Sequence, residues 1–334
     1  MINRRNLAQC IRLSIAWALL AFFARSAAAA DPSSTEVKFV EGSGRVTVLI
    51  DGMPVAVYCY EDEKVRRPYF AHVRATSGIQ VSRNQPPVAG QDSTDHSTFH
   101  PSLWMSFAEL GGSDFWRNHA SVKQVNFAEL PRDGVGRGSF AVRNHHLDQQ
   151  DPSKVICEET VRYTFVPHPA GFLILWDTTF SSDKEFSFGD WEEMGLGLRV
   201  ATPIRVGAKT DVGLAPGNGT ITDSRGRTNE AEIWGNSADW CDYSGTIADE
   251  YVGMTILCHP QNFGPSWFHS RDYGMIVANP FGRQTLGKGE KSTVVVRPGE
   301  SLRLRFGVLV HNGPVGSKPD LAAAYEDYKH LAEQ

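Results

Sequence analysis

The stretch RVTVLIDGMPVAVYCY, residues 45–60, decides the fold class of this chain. Apolar residues alternate or run together on both sides of Asp51-Gly52. An Asp-Gly pair tolerates the positive φ angles of a two-residue hairpin turn, so the pattern predicts two antiparallel strands joined by that turn.

Strand-like patterns continue along the whole chain and predict an all-β protein. Apolar or β-branched runs occur at residues 101–107, 161–166, 172–180, 195–200, 251–258, 274–278, 292–297 and 302–310. Gly and Pro separate these runs, and residues 167–171 have the composition of a hairpin loop. Many short strands with frequent turns are typical of a sandwich or a barrel.

A helix is predicted only at the C-terminal end. Ser317 is its candidate cap, Pro319 suits the first turn, and apolar residues then recur at helical spacing up to Leu331. About 300 residues can form one large β-domain or two smaller ones. Because no linker or repeat interrupts the pattern, we expect residues 31–334 to form a single large antiparallel β-sandwich with a C-terminal helix.

Residues 1–30 have the layout of a secretory signal peptide. Arg4, Arg5 and Arg12 precede a short apolar core of 12 residues, 13–24, and several small residues offer cleavage sites before Asp31. A membrane anchor is the alternative, but this core is too short to cross a bilayer comfortably. The protein is therefore expected to be secreted or periplasmic, with no stable membrane anchor after cleavage.

Removal of this segment leaves an acidic protein. It takes away four of the 33 Lys and Arg residues and none of the 38 Asp and Glu residues, so 29 basic residues remain and the net charge is −9. A nucleic-acid partner needs a basic surface, so this charge argues against one.

Four cysteines remain after cleavage: Cys59, Cys157, Cys241 and Cys258. An oxidising compartment permits up to two disulfides, and Cys241 with Cys258 is the preferred pair because a turn-like stretch separates them. Buried free thiols are the alternative. No C-x-x-C motif occurs, which argues against a thiolate zinc site.

The first chemistry-bearing cluster is DHSTFH, residues 95–100. Imidazole titrates near neutral pH and is the commonest metal ligand. His96 and His100 are therefore candidates for proton transfer or for a metal site, with Asp95 orienting a ring. The alternative is a long loop in which these side chains bond backbone carbonyls.

The second cluster is WFHSRDY, residues 267–273, roughly 170 residues further along. His269 is the best single candidate for a catalytic or ligand residue, and Arg271 can clamp a carboxylate or sulfate in bidentate fashion. Arg271 can equally pair with Asp272 or Glu193 as a structural contact. Trp267 is a candidate for stacking on a substrate.

Three further motifs have both a functional and a structural interpretation. In DWEEMGLGLR, residues 190–199, only Glu192 or Glu193 is expected to face a pocket, because neighbours on an extended chain diverge. Trp116 belongs either to a sugar-stacking surface or to a turn whose aromatic rings enter the core. His145-His146 is expected to lie in a surface loop.

Several motifs together resemble a known family. RPYFAHVRATSG, DHSTFHPSLWMSFAELGGSDFW, WEEMGLGLRV, GTITDSRGR, ADWCDYSGT and HSRDYGMIVANPFG occur in one order between residues 67 and 313. This set resembles a family of secreted bacterial proteins labelled PmoA-like or "methane oxygenase". Matching positions are Asp95, His96, Glu193, Arg199, His269, Arg271 and Asp272.

The resemblance implies a β-sandwich, for which the mutarotase-like supersandwich is one form, and a place among bacterial glycan-degrading proteins. A membrane-embedded oxygenase subunit needs membrane spans, and none remains after cleavage. A soluble copper site is the redox alternative, because His96, His100 and His269 offer imidazoles.

The resulting hypothesis is an exported carbohydrate-active protein that acts on a glycan by acid-base chemistry, as a hydrolase, an epimerase or a lyase. The cofactor is left open, with a divalent metal bound by His96, His100 and His269 as one option. A non-catalytic sugar-binding protein and a metal-dependent oxidoreductase are the alternatives. The assigned residues are His96, His269 and Glu193 for catalysis, and Asp95, His100, Arg199, Arg271, Asp272, Trp116 and Trp267 for substrate binding.

Overall fold

The hairpin predicted around Asp51-Gly52 is present. The computed structural model describes residues 32–207 and 213–334, and the predicted signal peptide lies outside them. Strands Arg45–Ile50 and Met53–Cys59 pair antiparallel across the turn. Asp51 and Gly52 have φ angles of 47° and 77°, which is the left-handed conformation that this two-residue turn requires.

Nineteen strands and two α-helices are present in the described residues. The strands are β1 Glu36–Gly42, β2 Arg45–Ile50, β3 Met53–Cys59, β4 Tyr69–Ala71, β5 Leu103–Phe107, β6 Val122–Arg132, β7 Gly134–Val135, β8 Gly138–Leu147, β9 Val155–His168, β10 Gly171–Ser181, β11 Phe186–Phe188, β12 Met194–Arg199, β13 Thr220–Asp223, β14 Trp240–Ile247, β15 Glu250–Cys258, β16 Trp267–Arg271, β17 Met275–Asn279, β18 Val294–Val296 and β19 Ser301–Pro314. The helices are α1 Asn229–Ile233 and α2 Leu321–Ala332, and short 3-10 turns lie at Pro32–Ser34 and Thr202–Ile204.

Most strands belong to two large antiparallel sheets. The nine-stranded sheet has the order β16-β17-β12-β5-β4-β3-β2-β1-β7, and the eight-stranded sheet has the order β13-β14-β15-β19-β10-β9-β8-β6. Strands β11 and β18 form a separate pair. The two large sheets pack face to face, as the contact at 5.5 Å between the rings of Phe107 on β5 and Phe180 on β10 shows. The predicted all-β sandwich with a C-terminal helix is confirmed.

Helix α2 covers the outer face of the eight-stranded sheet. Ala324 and Tyr328 pack there on Leu173, Leu175 and Leu309, in a small apolar cluster separate from the main core. The helix begins later than the sequence predicts. Asp320 caps it by accepting a hydrogen bond of 3.0 Å from the Ala323 amide, so Ser317 and Pro319 lie outside the helix.

The position of His145-His146 was predicted wrongly. Both residues lie on β8 and not in a surface loop. His146 is buried, and its Nε2 lies 3.2 Å from the Glu159 carboxylate, which gives a polar residue a partner inside the sandwich. A buried histidine makes the sequence of a buried strand look polar, which is why these residues were predicted to lie in a surface loop.

The preferred disulfide was also wrong, since all four cysteines of the described residues are free thiols. Cys241 on β14 lies directly opposite Ile256 on β15, so Cys258 is its diagonal neighbour. Diagonal neighbours in a sheet are about 7–8 Å apart, with their Cβ atoms only somewhat closer. A disulfide needs about 4 Å between them.

Within the described residues, no helix is long and apolar enough to cross a membrane.

Candidate functional site

The two polar clusters of the sequence lie on the same outer face of the nine-stranded sheet. Directly paired residues of an antiparallel sheet point to the same side. One row across the strands runs Trp104, Gly197, Val277 and His269. The next row places Arg199 of β12 and Arg271 of β16 on either side of Met275, two strand spacings or about 10 Å apart.

Trp104 forms the floor at one end of this face. A Cβ atom on Gly197 would lie 2.7 Å from the Trp104 ring, so the glycine allows the indole to lie flat on the neighbouring strand. The His100 ring stacks on this indole at 5.2 Å, with an angle of 11° between the planes. Trp116 closes the floor by packing edge-on against both rings, at 5.4 Å and 5.7 Å.

Asp95 is the centre of the first group. Its carboxylate accepts two hydrogen bonds from the buried Arg199, at 2.8 Å and 3.0 Å, and one from Ser93 at 2.5 Å. His96 Nδ1 lies 2.7 Å from Oδ2 of the carboxylate, which also accepts from Nη1 of Arg199. Burial raises the pKa of Asp95, but the hydrogen bond from His96 and the charge of Arg199 outweigh it and hold the pKa well below its ordinary value.

Because Asp95 is ionised, it can only accept hydrogen bonds, so Nδ1 of His96 carries the proton that joins them. The His96 side chain is 46% exposed, and no hydrogen bond to its Nε2 occurs among the described residues. His96 has a φ angle of 47°, a left-handed conformation in which its backbone turns between Asp95 and the rest of the loop. The result is an oriented imidazole with one ring nitrogen available to a ligand.

Arg83 holds this loop in place, and the sequence analysis did not identify it. Its buried guanidinium donates to the backbone carbonyls of Ser93, Asp95, His96 and His100, at 2.7–3.4 Å. Burial and the nearby charge of Arg199 lower the pKa of Arg83 to about 9. An arginine in a polar loop normally predicts a solvent-exposed side chain, so no sequence signal marked this role.

Tyr273 connects the two clusters. Its ring lies roughly parallel to His96 at 6.0 Å and to His100 at 6.3 Å, and the Arg199 guanidinium lies over it at 4.4 Å. Tyr273 follows Arg271 and Asp272 in the turn between β16 and β17. The sequence motif contained Tyr273, but the residue was not assigned to the site.

The second group is built around His269. Its Nδ1 lies 3.0 Å from the backbone carbonyl of Glu192, and its Nε2 is buried without a hydrogen-bond partner among the described residues. Arg271 lies beside it and pairs with the carboxylates of Glu192 at 3.3 Å and Glu230 at 3.1 Å. Glu230 comes from α1 and was not predicted.

The remaining predicted residues have structural partners. Glu193 pairs with Arg117 and not with a histidine, and Arg117 also pairs with Asp114 at 3.1 Å. Asp272 accepts a hydrogen bond of 2.9 Å from the Glu230 amide. Trp267 on β16 is half-buried.

Trp116 lies in the floor and is fully buried, so its ring is not open to a ligand in this structure. The alternative interpretation, a turn whose aromatic rings enter the core, is the one that the structure supports.

A pH-dependent stability follows from the two buried histidines of the candidate site, His100 and His269. Burial and the charge of Arg271 lower the pKa of His269 to about 3, and burial with the charge of Arg199 holds the pKa of His100 well below 6.5. Below pH 6.5 the unfolded chain therefore binds protons that the folded chain does not, so the free energy of unfolding should decrease as the pH falls from about 6.5 to 4.5. Urea unfolding across this window tests the slope, and His269→Gln should reduce it. An unchanged slope in that variant would contradict the neutral, buried state of His269.

A metal ion fits the first group poorly. Asp95, His96 and His100 offer ligand atoms within 4.8 Å of one another. Two atoms that both lie about 2.1 Å from one zinc ion can be no more than about 4.2 Å apart. Both carboxylate oxygens of Asp95 already bind Arg199, whose Nη1 also lies 3.4 Å from His100 Nδ1. A cation would have to displace a buried guanidinium, and His269 belongs to the other group.

Comparison with known proteins identifies the family of the chain. Residues 45–326 match the model of a family of unknown function, DUF6807. The chain belongs to this family. The DUF6807 description contains no methane oxygenase label, and no curated protein matches the chain.

Solved structures with a similar arrangement of strands have low sequence identity to this DUF6807 member. A galactose mutarotase-like protein from Lactobacillus casei ATCC 334 is 13% identical, with a TM-score of 0.35 over 82% of this chain and 100% of that chain. The GalM/aldose epimerase homologue from C. elegans is 9% identical, with a TM-score of 0.34 over 84% and 100%. The GH36 alpha-galactosidase AgaB from Geobacillus stearothermophilus is 12% identical, with a TM-score of 0.40 over 83% of this chain and 41% of that chain. At these TM-scores the likeness carries no information about activity.

Proposed function

We propose that this protein is an exported enzyme that acts on a sugar by proton transfer, with His96 as the catalytic acid or base. The observation that carries the proposal is the hydrogen-bonded series Arg199–Asp95–His96, which ends at an exposed imidazole nitrogen. A general base needs a fixed tautomer and a free lone pair, and Asp95 provides the first by accepting from Nδ1. Hydrolysis, epimerisation and lyase chemistry all use such a group.

Arg199 supports the proton transfer by holding the Asp95 carboxylate, and Arg83 supports it by holding the loop on which Asp95 and His96 lie. When His96 takes up a proton, the ionised Asp95 beside it stabilises the new positive charge. Arg199 keeps Asp95 ionised and fixes its position through two parallel hydrogen bonds, which a single-point contact would not do. In this proposal Arg199 is a positioning residue, and only His96 contacts the reacting atoms.

An exposed indole next to the second group supports a sugar as the ligand. Trp191 is 44% exposed, and its Nε1 donates to Glu109 at 2.7 Å, so the orientation of the ring is fixed. Glu192 follows it and offers a partly exposed carboxylate beside Arg271. A fixed aromatic face beside hydrogen-bonding groups is the combination that binds an apolar sugar face and its hydroxyls. Trp191 belongs to the motif of residues 190–199, but it was not predicted to be a site residue.

The proposal is tested with a panel of mono- and oligosaccharides, neutral and acidic, followed by product analysis by NMR. The expected result is a new reducing end, a changed anomer or epimer, or an unsaturated product from at least one class. Binding without any product would favour a non-catalytic sugar-binding protein.

A metal-dependent oxidoreductase is the remaining alternative, and the grouping of Asp95, His96 and His100 is the observation in its favour. Elemental analysis of protein purified without chelators tests it. If the protein contains a stoichiometric transition metal, and if removal of this metal abolishes turnover, the metal and not His96 is responsible for the reaction. The charge of Arg199 leads us to expect none.

A further inference from the structure

A cavity lies on the eight-stranded sheet, away from His96. It has a volume of about 520 Å³ and lies between the outer face of the eight-stranded sheet and the C-terminal end of α2. This size is in the range of small-molecule sites. It shares no lining residue with the Asp95 group, so it is independent of the proposed function.

Arginines dominate its charged lining. Four guanidiniums, those of Arg137, Arg162, Arg303 and Arg305, face two carboxylates, those of Asp177 and Glu333. The side chains of the lining thus have a formal charge of +2 in a chain whose net charge is −5. The local charge opposes that of the whole protein, and an anion approaching the cavity is attracted.

The sheet register places these groups in one row. Arg162 of β9 lies directly opposite Asp177 of β10, which lies directly opposite Arg305 of β19. Arg303, which is also on β19, donates to both oxygens of the Asp177 carboxylate, at 2.8 Å and 2.6 Å. This carboxylate therefore lies among three arginines and is already bound by one of them.

Most N–H donors of the Arg162 guanidinium have no partner among the described residues. Its one side-chain partner among the described residues is Glu129, a half-exposed residue outside the lining. A guanidinium has five N–H donors, so most of those of Arg162 remain available. Arg305, in contrast, is buried and contacts Ala332, Glu333 and Gln261.

Aromatic and apolar side chains complete the lining. Tyr328 of α2 lines the cavity and is fully buried. Leu175 and Leu331 add apolar surface beside it.

We propose that this cavity binds an organic anion of sugar size, bearing a carboxylate or sulfate group that Arg162 clamps. The apolar surface and the volume favour a sugar acid over a bare ion. A carboxylate or sulfate matches the planar fork of arginine in bidentate fashion.

Titration calorimetry tests the proposal with galacturonate and digalacturonate, with galactose as the neutral match and with inorganic sulfate. Arg162→Ala should weaken binding of the uronate about ten-fold or more. The matched control is Arg143→Ala, because Arg143 lies on the same sheet face outside the cavity, is ion-paired with Glu158 at 3.2 Å, and is 44% exposed against 43% for Arg162.

Loss of uronate binding in the Arg162 variant alone would support the proposal. Equal losses in both variants, equal binding of galactose, or no uronate binding at all would overturn it. Displacement of the uronate by an equal concentration of sulfate would mean that an adventitious ion only is recognised. Loss of uronate binding in a His96→Ala variant would place the ligand at the other sheet and would also overturn the proposal.

Discussion

Replacing His96 by alanine should reduce sugar turnover by about 10²–10⁴-fold, the range that a positioned general acid or base contributes. The melting temperature should hardly change, because the His96 side chain is 46% exposed and fills no part of the core. Turnover is measured on the substrate that the glycan panel identifies, and stability by thermal unfolding monitored by circular dichroism.

His119→Ala is the matched control for this substitution. The His119 side chain is 57% exposed, and its Nδ1 lies 3.6 Å from the carboxylate of Asp114, so it is also an exposed imidazole beside an acid. Asp114 is bound by Arg117, whose side chain is 32% exposed, whereas the Arg199 side chain that binds Asp95 is 1% exposed. Equal loss of turnover in the two variants would contradict a special role for His96.

Replacing Asp95 by alanine should have the largest effect on stability. Its carboxylate is the ionic partner of Arg199 and lies 3.6 Å from Arg83, and both arginine side chains are about 1% exposed. Removing one partner of a buried ion pair leaves an uncompensated charge and costs about 3–5 kcal/mol. Because Asp95 itself is partly exposed, the lower end of this range is expected, measured by urea unfolding at neutral pH.

The double variant Asp95→Ala, Arg199→Met separates this loss of charge compensation from a general disruption of the loop. With Arg199 replaced by an apolar side chain, Arg83 is the guanidinium that remains beside position 95, and it keeps its backbone carbonyl acceptors, so the double variant should be more stable than Asp95→Ala alone. A double variant that is less stable, by the sum of the two single losses, would show that the ion pair does not anchor the loop. Turnover should remain low in both variants, because His96 loses the acceptor that fixes its tautomer.

Local patterns in the sequence predicted most of the fold. The Asp51-Gly52 turn specifies its own backbone conformation, and each strand carries its apolar run in consecutive residues, so neither depends on distant contacts. The error at His146 arose from a tertiary contact, because Glu159 on the neighbouring strand is the partner that this buried imidazole needs. The error at α2 was local, because Asp320 and not Ser317 is the residue that caps the helix.

The candidate site was predicted in part. Side-chain chemistry marked Asp95, His96 and His100, and the strand register brings Arg199 close to them. Sequence alone could not show that Glu192 rather than Glu193 lies beside Arg271, because that depends on which side of the loop each residue faces. It also could not identify Arg83, whose four carbonyl partners are spread over a loop that the arginine itself organises.

A crystal structure with a bound sugar from the panel tests directly whether His96 is the residue that transfers the proton. We expect a sugar oxygen or a ring C–H about 3 Å from His96 Nε2, within reach of a hydrogen bond or a proton transfer, and the Asp95–Arg199 pair intact. A sugar bound elsewhere, with His96 Nε2 in contact with solvent alone, would show that His96 does not act on the sugar.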